Sequence, residues 1–174
     1  MKQQENPVIR SLLERRSIRS YTRQAVEKSK ILSLLISAMY APSARNEQPW
    51  HFLVIDERKL LERIPHVHPY AGMLKEAALA ILVCGDEKLE LSRDYWPVDC
   101  SAATQNILLA AHALGLGAVW LGVYPRRERQ EGIRKIFELP AHIHPFSLVS
   151  VGYPAEQKPM PDRYREERVH WNRW

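Results

Sequence analysis

The stretch Ala78-Leu79-Ala80-Ile81-Leu82-Val83-Cys84-Gly85 sets the tightest limit on what this chain can fold into. It is apolar almost without interruption and shows no alternation with polar residues. A strand of that composition is buried on both faces. A long helix from roughly Pro97 to Leu114 is suited to cover it. Ala102, Ala103, Ala110 and Ala111 fall on several of its faces and permit close packing, so it reads as the central helix. Gly115 and Gly117 terminate it.

The remaining elements follow from caps and periodicity. Asn6-Pro7 reads as an N-cap with proline at the first helical position, ahead of an apolar stripe of Val8, Ile9, Leu12 and Leu13. That helix stops near Arg15 or Arg16. A second spans Glu27 to about Met39 and is ended by Pro42. Short helices are predicted over Arg58–Ile64 and Ala71–Glu76, and a longer one over Arg127–Phe137. Further strands are predicted at His51–Asp56, Gly117–Val123 and His144–Gly152. Helices and strands mix without strict βαβ alternation, which predicts one α+β domain over residues 1–174. The tail after Gly152-Tyr153-Pro154 is polar and proline-rich and ends in Trp171 and Trp174, which are expected to dock on the body or on a second subunit.

Bulk properties exclude several classes. With 45% hydrophobic and 26% charged residues the composition is that of a globular domain. No apolar run is long enough for a membrane span and the start lacks a signal-peptide core, so a cytoplasmic location is expected. The net charge of +5 is interspersed with acids, as in Arg126-Arg127-Glu128-Arg129-Gln130-Glu131, which reads as a solvated helix face and not as a nucleic-acid surface. Cys84 and Cys100 form no CxxC pair and read as free structural thiols. The pairs His66-Val67-His68 and His142-Ile143-His144 lack the spacing of a metal site, and no metal is expected. No complete GxGxxG, Walker A or GxSxG sequence occurs.

Four clusters carry chemistry. Arg15-Arg16-Ser17-Ile18-Arg19 places three guanidiniums and a hydroxyl just past the first helix. Guanidinium forks fit phosphate oxygens, although cations also suit a helix C-terminus. Pro42-Ser43-Ala44-Arg45-Asn46-Glu47-Gln48-Pro49-Trp50 offers amide side chains on a stiff loop ahead of a strand, suited to a planar polar heterocycle. Leu116-Gly117-Ala118-Val119-Trp120-Leu121-Gly122 lets backbone approach a ligand, and Arg163-Tyr164-Arg165 adds cations in the tail. Flavin mononucleotide carries both a phosphate and such a heterocycle.

In order and spacing these clusters resemble the nitroreductase family of FMN-dependent oxidoreductases, from about Val8 to Trp174; Gly152-Tyr153-Pro154-Ala155-Glu156 is a further specific piece. The resemblance implies a central, mostly antiparallel sheet flanked by helices, and a homodimer with an extended C-terminal tail and two FMN sites at its interface. It places Arg15, Ser17 and Arg19 at the phosphate, ribityl chain and pyrimidine edge, with Arg16 among them. It places Pro42, Ser43 and Ala44 where the partner subunit covers the flavin, and Asn46 at the pyrimidine edge. Trp120, Leu121 and Gly122 fall where backbone lies along the ring with an N–H near N5, and Arg163 where a tail cation reaches the phosphate, Arg165 being the second choice. Where some relatives carry a Glu beside the N5-facing glycine, this chain has Leu121.

The activity so implied is hydride transfer from NADH or NADPH through FMN to a small planar acceptor, such as a nitroaromatic, quinone or flavin, by ping-pong kinetics. No side chain need act as a nucleophile. Tyr95, Trp96 and Trp120 are candidates to shape the cleft, with core packing the stronger expectation for each. The competing function is a flavin-binding or sensing protein without redox turnover.

Overall fold

A computed structural model describes residues 6–174 of the chain. Four strands, β1 (Trp50–Ile55), β2 (Leu79–Asp86), β3 (Gly117–Gly122) and β4 (Ile143–Gly152), form one sheet in the order β1-β2-β4-β3. Every neighbouring pair is antiparallel. The apolar run is β2, with all eight residues buried. Its lack of alternation has a direct cause. Ala80, Leu82 and Cys84 enter one core while Leu79, Ile81 and Val83 enter another. Burying each such Leu or Val contributes about 1.5–3 kcal/mol.

Five α-helices surround the sheet: α1 (Pro7–Glu14), α2 (Lys28–Met39), α3 (Arg58–Arg63), α4 (Trp96–Ala113) and α5 (Arg127–Phe137). One core takes Leu61 of α3 and Ile133 of α5. The other takes Cys100, Ala103, Ile107 and Ala111 of α4, with Leu34 and Ala38 of α2 behind them. The predicted central helix is therefore in place. Asn6 caps α1 through bonds from Val8 N and Ile9 N, and Gly115 turns the chain after α4 with φ +73°.

Three local differences have physical causes. Gly72–Lys75 forms a 3-10 turn where a short α-helix was expected, with too few residues to propagate an α-helix. Between Val83, which pairs with Ser147, and Cys84, which pairs with Pro145, the β2–β4 register slips by one residue and leaves Phe146 without a β2 partner, beside a proline that has no N–H for the ladder. The tail tryptophans do not dock on the chain's own body: Trp171 is 84% and Trp174 101% exposed. Cys84 and Cys100 are free and buried, and burial pushes the Cys84 thiol up to about 12. Among the described residues no helix is long and apolar enough to cross a membrane.

Candidate cofactor site

The site is assembled on the outer edge of β3, which pairs only with β4. Leaving α1, the chain runs along that edge. Ser17 bridges Ala118 in parallel and Ile18 N donates to Ala118 O at 3.0 Å. This close approach depends on Gly117, where a Cβ would lie 2.7 Å from Ile18 Cγ2. The tail returns over the same segment. Glu156 accepts from Arg19 N and Ser20 N, bonds that hold its carboxyl below the usual range. Lys158 Nζ donates to Ser17 O at 2.7 Å.

The guanidiniums of the first cluster divide in role. Arg16 spends its donors on backbone: it bonds Leu13 O, Arg15 O and Pro159 O, fastening the tail to α1. Arg15 does not. Its Nη1 is buried with no hydrogen-bond partner among the described residues. Burial first, then the nearby Arg163 and Arg16 cations, lower the Arg15 pKa. Three cations thus converge, one with an unsatisfied buried donor. Such a donor costs about 1–3 kcal/mol unless something accepts from it. Arg19 is exposed, and its guanidinium makes no hydrogen bond or ion pair among the described residues.

Strand alternation fixes what β3 offers at its edge. Ala118 O faces outward, toward Ile18, so the N–H and C=O groups of Trp120 and Gly122 face outward as well. Leu121 is buried in the core beneath α3 and α5, and Trp120 packs edge-on against Phe146 at 5.7 Å on the α4 side. A Cβ on Gly122 would meet nothing within 4 Å. The strand end therefore leaves open space on the face where a Gly122 side chain would stand.

The loop before β1 is a separate body of polar contacts. Arg45, Asn46 and Gln48 all have positive φ, between 49° and 56°. For residues other than glycine this costs of order 1 kcal/mol each, Asn least. Polar anchors offset it. Ala44 N donates to Asp99 Oδ1 at 2.9 Å and Gln48 N to Ser43 Oγ at 3.0 Å. Gln48 Nε2 donates to Asn46 Oδ1, while Glu47 Oε2 accepts from Leu91 N and Ser92 N. Asp99 Oδ2 and Glu47 Oε1 are buried without partners. Burial, with the Glu47 carboxyl adding, raises the Asp99 pKa above its ordinary value. Among the described residues, no hydrogen bond or ion pair links this loop to Arg15, Ser17, Arg19 or Arg163. Within one chain, then, the first, third and tail clusters meet, and Pro42, Ser43, Ala44 and Asn46 stand apart from them.

A family model described as the nitroreductase family matches residues 12–68 and 65–153. The chain belongs to the nitroreductase family. A Methanothermobacter thermautotrophicus protein with the name "Putative NADH dehydrogenase/NAD(P)H nitroreductase" is 50% identical over 167 residues, 96% of this chain and 87% of its own length. A protein of the same name from Parabacteroides distasonis has a crystal structure that superposes with TM-score 0.93 at 44% identity, covering 97% and 99% of the two chains. A Desulfovibrio desulfuricans structure described as a putative nitroreductase in complex with FMN gives TM-score 0.84 at 31% identity, covering 97% and 98%.

In this nitroreductase-family chain two residues at the site escaped the sequence reading. His68 Nε2 and Arg129 Nη1 both lie on Gly122 O, at 3.0 and 2.7 Å. The Arg126–Glu131 segment reads locally as a solvated face, yet Arg129 turns back onto the sheet. His68 reads as half of an HxH pair, yet bonds backbone. Local pattern carries no signal for either contact. Trp96 is a packing residue, as expected: its ring fills the space over Gly85 and stacks on His144 at 5.4 Å.

Proposed function

We propose that this chain holds FMN along the open edge of β3 and uses it to pass reducing equivalents from NAD(P)H to a small planar acceptor. As a nitroreductase-family member it is an FMN-dependent NAD(P)H oxidoreductase. FMN, when bound, supplies hydride acceptance and donation at N5, so donor and acceptor such as a nitroaromatic, quinone or flavin share one cleft in ping-pong order.

The observation that carries the cofactor assignment is the orphaned Arg15 Nη1 among three cations. That set fits a phosphate. Arg15 donates to it, Arg163 adds a second cation from the tail, and Arg16 contributes charge while its bonds hold the tail in place. Arg165 is the alternate tail cation. Ser17 lies next along the strand edge and binds the ribityl chain. Arg19, whose guanidinium has no partner among the described residues, takes the pyrimidine edge and opposes the negative charge that builds there on reduction. The backbone of Trp120, Leu121 and Gly122 lines the ring, and the outward Gly122 N–H donates to N5. Leu121, buried, supplies no acid.

Pro42, Ser43, Ala44 and Asn46 reach a flavin only if a second copy brings them. The exposed apolar side chains Val8, Leu12 and Leu13 of α1 and Leu32, Ile36 and Met39 of α2, with Trp171 and Trp174, favour a homodimer that buries them. The strained loop then covers the partner's ring, and its anchor at Asp99 keeps it rigid.

Anaerobic titration tests the whole. The purified protein, supplied with FMN, should be yellow and should bleach with NADH or NADPH, then recover colour with a quinone or nitroaromatic. Protein that stays colourless after FMN addition sinks the proposal. Flavin that binds but bleaches with neither nicotinamide points to the flavin-binding protein without turnover.

A further inference from the structure

Two side chains that the flavin proposal leaves unused converge on the end of β3. His68 follows the 3-10 turn Ile64–His66, and Arg129 sits in the first turn of α5. Both donate to Gly122 O. A carbonyl only accepts, so the proton of the His68 ring is on Nε2 and Nδ1 is bare. Nδ1 is buried without a partner among the described residues, and His68 as a whole is 1% exposed. Burial, with Arg129 beside it, keeps the imidazole below its ordinary pKa and therefore neutral at pH 7. Arg129 also lies over the Tyr70 ring at 5.3 Å, and Tyr70 meets the His68 ring edge-on at 6.3 Å. The three side chains brace one another around a single carbonyl.

Gly122 is where such a brace matters. It ends an edge strand, and without a Cβ its backbone torsions are soft. Its N–H and C=O point to the same open side, so fixing the carbonyl fixes the N–H. We propose that His68 and Arg129 are positioning residues that clamp the Gly122 carbonyl, hold the Gly122 N–H toward flavin N5 and set a permanent cation beside the ring. The inference rests on the FMN assignment above. Its electrostatic consequence is directional. A reduced flavin carries more negative charge than an oxidised one, so the Arg129 cation favours the reduced form.

The experiment is a reductive titration of the holo-protein against a reference dye, with the oxidised FMN Kd measured in parallel. Arg129→Gln should weaken reduced FMN about tenfold more than oxidised FMN, a midpoint shift of about 30 mV downward for a two-electron couple. Arg129→Lys keeps the charge and should restore most of the potential. His68→Phe, which leaves Arg129 as the only donor to the carbonyl, should weaken both forms, and His68→Gln, which retains a donor, should recover affinity. A wild-type potential in Arg129→Gln overturns the clamp while leaving the FMN assignment standing. A wild-type protein that takes up no FMN overturns both. A second measurement needs no variant: imidazole nitrogen shifts in the labelled wild-type protein should show the neutral His68 ring with its proton on Nε2 at pH 8. A neutral ring with its proton on Nδ1 overturns the clamp.

Discussion

Arg15→Met should move apo stability and cofactor affinity in opposite directions. Methionine keeps the apolar stem that packs at the end of α1 and removes the guanidinium. That guanidinium has a buried Nη1 with no partner among the described residues and two neighbouring arginines. An unsatisfied buried donor costs about 1–3 kcal/mol; Arg15 is only partly buried, so the low end applies. Against this, a cation beside the α1 C-terminus contributes about 0.3–1 kcal/mol through the helix dipole. The net is a gain of up to about 0.7 kcal/mol in the variant, before the relief of repulsion from Arg16 and Arg163 is added, or up to about 1–3 °C in Tm for a chain of this size. With FMN the sign reverses. Losing a charge-assisted contact to phosphate costs about 1.5–3 kcal/mol, which is a rise in Kd of roughly 10- to 150-fold. Calorimetry with and without FMN, beside a flavin fluorescence titration, reads both quantities on one preparation. A variant less stable than wild type by 1 kcal/mol or more, with FMN affinity intact, would refute the reasoning. Arg15 would then be a helix-end cation and no more.

Arg16→Met should lower stability instead. Its donors serve three backbone carbonyls, so apo stability should fall by about 1–2 kcal/mol, and tail residues 156–163 should become protease-sensitive. Gly117→Ala should cost about 1–3 kcal/mol by overpacking, because the new Cβ would press on Ile18; FMN affinity should fall with it, and a variant of wild-type Tm and affinity would contradict the close approach. Asp99→Asn should change the pH profile. The folded Asp99 carboxyl titrates above its ordinary value of 3.8, so its favourable contribution is full below that pH and is lost as pH rises through the raised value. Asparagine still accepts from Ala44 N and adds a donor for the orphaned Glu47 Oε1, so the variant should gain about 1–2 kcal/mol over wild type at pH 8 and little at pH 4. Urea melts across that range would expose the error if the difference failed to grow with pH.

How much of this was legible in the chain depends on how far apart the partners lie. β2 announced itself because eight consecutive apolar residues satisfy a two-sided burial that only a central strand meets. α4 was legible from alanines spread around its faces, and α1 from Asn6-Pro7. These signals are local. The site is not. Arg16 lies beside Arg15 in a motif that reads as one phosphate clamp, yet Pro159, 143 residues away, takes one of its donors. Arg129 sits in a run of alternating charges that reads as solvated, and only the path of α5 past the end of β3 brings it to Gly122. The order of the motifs identified the family because the family reuses that order. The division of labour between Arg15 and Arg16, and the His68–Arg129 brace, needed three dimensions.

The position of β3 ties these observations together. An edge strand offers unpaired N–H and C=O groups, a hazard for association with other chains. Here one stretch of the edge is closed by Ser17 and Ile18 against Ala118, and its end by His68 and Arg129 against the Gly122 carbonyl. What remains open is short: the outward backbone of Trp120 and the N–H of Gly122. A second β-strand has no room to pair along two residues flanked by bulky side chains, whereas a planar ring with acceptors along one edge needs only that length. Arg15, with Arg163 close enough to depress its pKa, precedes Ser17 by two residues, and the proposed assignment puts the phosphate there. The edge is thus closed to strands and left open to one ligand shape. On the proposed FMN assignment, the residues that suppress strand pairing also select the cofactor.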